Sequence, residues 1–177
     1  TFVRNNSDLS IHEVTRCGTD SHQRIFFDID ANYKDFPDKD QLLKAYNILL
    51  KSIKYELANA NVYSTEYYEL ISHTEEKFSS HIVYKHAYIN ALHYDCFYEK
   101  VIENFIFDLD LNCLPNNLVN IIDKNVYGLN HCLRVHTSHK FGKTTKLALK
   151  TGSNKQFNPQ TLVQYVYSAT ELNQIGR

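Results

Sequence analysis

Proline and glycine are scarce in this chain, three and five respectively among 177 residues. No Pro, Gly or Ser linker divides the chain, no segment repeats, and no tract is of low complexity. Residues 1–177 are therefore expected to form one domain, long enough to bury a core without disulfides. A charge excess is missing too. Nineteen Lys and Arg stand against twenty Asp and Glu, a formal net charge of −1, so any nucleic acid or phosphate must be met by local positive clusters. The four cysteines, Cys17, Cys96, Cys113 and Cys132, lie far apart with no CxxC pair. That spacing disfavours a zinc site and a disulfide framework, and suggests reduced, mostly buried thiols. No apolar run approaches a membrane span, and the opening TFVRNNSDLS has no signal-peptide core. An intracellular protein without a membrane partner is expected. The first residue, Thr, and the closing QIGR suggest a piece of a longer polypeptide.

What is present reads as an ordinary soluble protein, 43% hydrophobic and 22% charged, with clear local patterns. QRIFFDI (23–29) is β-branched and aromatic, and predicts a strand. From Asp40, the spacing of Leu42, Leu43, Tyr46, Leu49, Leu50, Ile53 and Leu57 predicts a helix packed on a sheet. NVYSTEYYELISH (61–73) and FSSHIVYKHAYI (78–89) predict two strands joined by the turn TEEK. Phe97, Tyr98, Val101, Ile102, Phe105 and Ile106 predict a second helix ending before Pro115. VNIID, CLRVHT and TKLALKT predict further strands. The order β-α-β-β-α-β with extra strands indicates an α+β fold with helices on one side of the sheet.

Two acidic pairs stand out. Side chains alternate across a strand, so Asp28 and Asp30 share one face while Phe27 and Ile29 take the other. Such a pair suits a shared cation, although two solvated acids at a strand end fit the same residues. Asp108 and Asp110 follow a helical stripe instead, where residues two apart diverge by roughly 200°. They do not converge, and a helix C-terminus disfavours anions. Oxygen-rich carboxylates suit Mg²⁺ or Mn²⁺ bound together with substrate phosphates. Asp123, which ends the apolar run NIID, offers a third carboxylate.

Lys77, Ser79 and His81 alternate on one strand face, a row able to hold phosphates. Farther on, DKNVYGLNHCLRVHTSHKFGK (123–143) gathers Arg134, Lys140 and Lys143 with His131, His136 and His139. Its cations fit either a triphosphate clamp or a solvated basic loop.

In order, RIFFDID, EKFSSH and IIDKNVYGLNHCLRVHTSHKFGK resemble the motifs of the archaeo-eukaryotic primase superfamily. The likeness is closest to its primase-polymerase branch, which includes the primase parts of large DNA virus primase-helicases. These are an apolar strand ending in Asp-x-Asp, a Ser-x-His preceded by Lys-Phe, and an apolar-Asp followed by Val-Tyr, Leu-Arg and Lys-x-Gly-Lys. The resemblance covers residues 24–143 and implies an α+β catalytic core, a mixed or antiparallel sheet with RRM-like elements flanked by helices. It implies that Asp28, Asp30 and Asp123 coordinate two Mg²⁺ or Mn²⁺ ions, with His81 also catalytic. Lys77, Ser79 and His81 would contact the incoming nucleotide, and Arg134 and Lys140 would hold its triphosphate. The implied activity is nucleotidyl transfer to a primer 3′-hydroxyl or an initiating nucleotide on single-stranded DNA, at the site of replication. A helicase domain in the full polypeptide would be a partner. His131 stands where some relatives of the eukaryotic type carry Arg, which weakens the expected phosphate grip or makes it pH dependent. The zinc-binding module of many relatives is absent, in keeping with the scattered cysteines.

Two rivals fit the same residues. A two-metal nuclease or phosphohydrolase would use the acids and His81 with water as nucleophile. A non-catalytic module would bind single-stranded DNA through a surface drawn from thirteen Tyr, ten Phe and the basic loop.

Overall fold

Helix formation begins where Asp38 caps the chain. Its carboxylate accepts from the backbone N–H of Asp40 and Gln41, both at 3.0 Å, satisfying two donors that have no intrahelical partner. Helix α1 (Lys39–Asn59) follows and buries Leu42, Ala45, Tyr46, Leu49, Ile53 and Leu57. Leu43, expected in this stripe, is instead 52% exposed. The helix ends at Asn59, and beyond its cap, Ala60, Asn61 takes a positive φ of 60°. The computed structural model describes residues 10–15, 22–128, 130–140, 142–152, 154, 156–164 and 173–175.

Strand β1 (His12–Thr15) pairs antiparallel with β5 (His131–Arg134) as a small sheet. Strands β2 (His22–Asn32), β3 (Tyr67–Ile71), β4 (Lys77–Asn90) and β6 (Ala148–Leu149) form the main sheet, in the antiparallel order β2-β4-β3-β6. Strand β7 (Asn173–Ile175) adds to β4 in parallel. The fold is α+β, with helix α2 (Tyr94–Leu111) packed against α1. Phe27 and Ile29 of β2 join Leu49 and Ile53 of α1 and Val101, Phe105 and Leu109 of α2 in one core. Each such side chain stabilises by roughly 1.5–3 kcal/mol on burial. Both helices therefore serve the face of β2 opposite its aspartates. Among the described residues, no helix is long and apolar enough to cross a membrane.

Several expected elements differ. VNIID is no strand: Pro115 precedes a 3-10 helix, Asn116–Ile121, and a single bridge joins Ile122 to Ile29. Its apolar residues are buried all the same, since Leu118, Ile121 and Ile122 reach the core, so burial was legible where strand geometry was not. The first half of 61–73 is irregular, and pairing starts at Tyr67. CLRVHT pairs only through Arg134 before Thr137 takes a φ of 69°, a conformation that interrupts extended backbone. TKLALKT contributes Ala148–Leu149 and one bridge at Lys146. The cysteines correct a second expectation: Cys96, Cys113 and Cys132 are free but exposed, each outside the apolar stripe of its neighbours. Cys17 lies outside the described residues.

Candidate active site

Register decides which side chains meet. Across β2 and β4, Asp28 lies opposite His81, Asp30 opposite Ser79, and Asn32 opposite Lys77. Directly opposed residues of an antiparallel pair share a face, so the two acids form one ladder with Lys77, Ser79 and His81. The alternation that sends Phe27 and Ile29 to the helices sends Asp28 and Asp30 the other way.

Asp123 arrives from the open edge of β2. Its backbone N–H donates to the Asp28 carbonyl at 2.9 Å. One of its carboxylate oxygens caps the following turn, accepting from the N–H of Asn125 at 3.0 Å. That turn, Lys124–Tyr127, carries the Tyr127 hydroxyl back to the same strand, where it accepts from the Asp28 N–H at 2.8 Å. The 122–127 segment thus replaces a strand partner along this edge and holds the two acids side by side. Tyr127 packs on Phe26, Tyr94 and Tyr98 with ring centroids 4.6 to 5.7 Å apart, and this aromatic floor fixes the turn.

A cavity of about 620 Å³ opens here, and Asp28, Asp30, Lys77, Ser79, His81, Asp123, Arg134 and Lys140 all line it. These eight, the residues expected to hold metal or nucleotide, are on its wall. Asp108 and Asp110 are not. They end α2, where Asp108 accepts from Ser52 on α1 at 3.4 Å.

Burial sets the electrostatics. Asp28 is pushed up to about 7, first by loss of water and then by the negative charge of Asp123. Burial, with Arg134 and Lys140 adding to it, pushes His81 down to about 3. Its Nε2 stands 3.4 Å from Asp28 Oδ1, so the contact joins a neutral imidazole to a carboxyl group, not two ions. Lys77 donates to Asp30 Oδ2, and Ser79 donates its N–H to His73 Nδ1 at 3.1 Å. Arg134 is lowered by burial, with the carboxylate of Asp28 opposing.

Among the described residues, no three His, Cys, Asp or Glu side chains form a ready-made metal cluster. The carboxylates nonetheless fit a divalent cation on two observations. Asp30 Oδ1 is buried without a hydrogen-bond partner, and the mutual repulsion of Asp28 and Asp123 is what a shared cation would relieve.

Sequence reasoning missed His12, Asn32 and Thr145, which line the same cavity, and the positioning role of Tyr127. Asn32 could have been found by extending the period of Asp28 and Asp30 by one step. His12 lies on a strand too short to show a period. The histidines of the basic stretch do not line the cavity. His131 is exposed, and His136 is buried between Asn154 and the N–H of Asn158. No protein-family model matches the chain, and no curated protein matches it.

Proposed function

We propose that this chain is the catalytic core of a primase-polymerase. It would join nucleoside triphosphates to a primer 3′-hydroxyl, or to an initiating nucleotide, on a single-stranded DNA template. One observation carries the reading: three segments far apart in sequence bring three carboxylates, a neutral histidine and several cations onto the wall of one cavity. The wall is divided by charge. Asp28, Asp30 and Asp123 would hold Mg²⁺ or Mn²⁺, which when bound supply Lewis acidity toward the attacking hydroxyl and offset charge on the departing pyrophosphate.

The protein's own groups do the rest. Arg134 and Lys140 bind and orient the triphosphate, Arg as a fork and Lys as a point charge. Lys77 and Ser79 reach the phosphates and sugar from the floor of the sheet. His81, neutral at working pH, donates a hydrogen bond without adding charge beside the carboxylates. Cations facing the acids favour a triphosphate over the bare phosphodiester that a nuclease would cut. A helicase domain elsewhere in the full polypeptide is the partner this reading suggests.

Incubating the chain with single-stranded template, nucleoside triphosphates and Mg²⁺ or Mn²⁺, with and without primer, tests the reading directly. Products longer than the primer are expected, absent in Asp28→Asn and kept in Asp108→Ala/Asp110→Ala. Template shortened without added nucleotides would establish the nuclease instead. DNA bound with no new product would leave the non-catalytic module.

A further inference from the structure

The basic side of the cavity is closed by a strand that precedes all three motifs. β1 places His12 directly opposite Arg134 of β5, where Cβ atoms of opposed residues lie about 5 Å apart on a common side. Both line the cavity, together with Lys140, Lys143 and Thr145. The next residue on β1 is turned away from them: Glu13 accepts from the N–H groups of Val163 and Gln164 at 3.0 and 3.2 Å. His12 is therefore an imidazole set among cations, at the place where the nucleotide reading puts a triphosphate.

We propose that His12 is a further phosphate-binding residue of this site, joining Arg134 and Lys140 on the polyphosphate tail and taking up a proton as it binds. The inference rests on the nucleotide reading and adds to it a ligand from outside the motifs. In the free protein His12 is held below its ordinary value by burial first, then by the charges of Arg134 and Lys140, with a backbone hydrogen bond at Ser10 opposing. A polyanion seated between those cations reverses both charge effects and favours the imidazolium. On β4, His81 also senses these charges, but at about 3 it stays neutral and does not compete for the proton. Asp123 and Asp28 couple to His81 and Arg134 deeper in the cavity. Because the His12 value is higher in the complex than in the free protein, its contribution to phosphate affinity grows as pH falls through the value in the complex. It levels off once free His12 is already protonated.

Calorimetric titration of the full chain with inorganic triphosphate, without divalent cations, tests this at pH 7.5 in two buffers of different ionisation enthalpy. The wild type should take up a fraction of a proton that His12→Gln does not. His12→Gln should bind about three- to tenfold more weakly. His12→Lys should recover affinity without the proton uptake. Melting curves on the same samples establish that each variant is folded. Equal affinity and equal proton uptake in wild type and His12→Gln, with Arg134→Ala and Lys140→Ala both weakened, would overturn the role of His12 and keep the nucleotide reading. Triphosphate binding untouched by Arg134→Ala and Lys140→Ala would remove that reading, and this inference with it.

Discussion

Lys77 reaches diagonally across the β2/β4 pair to donate to Asp30 Oδ2, passing its direct neighbour Asn32. The lysine thus serves as counter-ion to a carboxylate whose other oxygen is buried without a partner. A divalent cation arriving at Asp30 competes with that ammonium for the charge of the carboxylate. Lys77→Met, which keeps the aliphatic stem, should therefore bind Mn²⁺ about two- to fivefold more tightly in the absence of nucleotide, the scale of a partly exposed ion pair. Lys140→Met is the control for general charge, because Lys140 lines the cavity without a bond to Asp30. Calorimetric titration with Mn²⁺ decides it. A gain of equal size in both variants, or none in Lys77→Met, counts against the counter-ion role.

Asp28 makes stability depend on pH. Folded, it holds its proton up to about 7; unfolded, only to the ordinary 3.8. Protonation therefore favours the folded state, and its stabilising effect is fully present below 3.8 and lost as pH rises to about 7. Asp28→Asn removes the buried charge. At pH 8 this variant should be more stable than wild type by about 1 to 3 kcal/mol. The melting temperature should rise by about 3 to 10 °C. Near pH 4 the difference should close. Glu13, also pushed up to about 7 by burial, adds the same slope to both proteins and cancels in the comparison. Melting curves across pH 4 to 8 without metal are the measurement, and an Asp28→Asn protein less stable at pH 8 contradicts it.

Tyr127 supplies the acceptor for the Asp28 N–H at 2.8 Å. Tyr127→Phe leaves that donor unpaired in a buried edge and should cost about 1 to 3 kcal/mol of stability. Its effect on catalysis should fall on kcat, because the strand edge that carries the Asp28 carboxylate loses its anchor while Arg134 and Lys140 keep their places. Nucleotide KM should stay within about twofold, since the phosphate contacts are intact. A rise in KM at unchanged kcat would place Tyr127 in substrate binding instead.

How much of this was legible in sequence follows from which periods are long. The elements β2, α1, β4 and α2 run 11, 21, 14 and 18 residues, and each shows its period clearly. The side of β2 that carries Asp28 and Asp30 follows from alternation alone. Strands of two to four residues, such as β1, β5 and β6, are too short for a period and are formed by tertiary pairing. That is why His12 went unseen although Arg134, its partner, was singled out. Asp123 illustrates the reverse: its segment was read as a strand, but a 3-10 turn with one bridge delivers the same carboxylate to the same edge. The carboxylate reaches that edge because apolar burial, not strand geometry, determines where the chain ends up. Exposed Cys96 and Cys113 mark a further limit, since spacing identifies unpaired thiols without placing them on the outer faces of α2 and its C-terminal turn.

His81 is 5% exposed, stands 3.4 Å from Asp28 Oδ1 through Nε2, and leaves Nδ1 buried without a partner. A buried polar nitrogen without a hydrogen bond costs stability unless a ligand completes it. A phosphate oxygen entering the cavity can accept from Nδ1–H, and a sugar hydroxyl can pair with Nδ1 in either tautomer. His81→Ala should then lower catalytic efficiency by roughly 5- to 150-fold, the loss of one hydrogen bond of about 1 to 3 kcal/mol. His81→Asn keeps a donor and should retain more activity than His81→Ala. Because burial holds the imidazole down to about 3, its titration should not shape the rate between pH 6 and 8. Wild type and His81→Asn should therefore show parallel pH profiles in that range, differing only in height. Primer extension and melting temperature measured on the same preparations separate the possibilities. Lower stability with undiminished turnover per folded molecule assigns His81 to packing alone. An acid limb near pH 6.5, present in wild type and lost in His81→Asn, shows instead that the ring works through its charge.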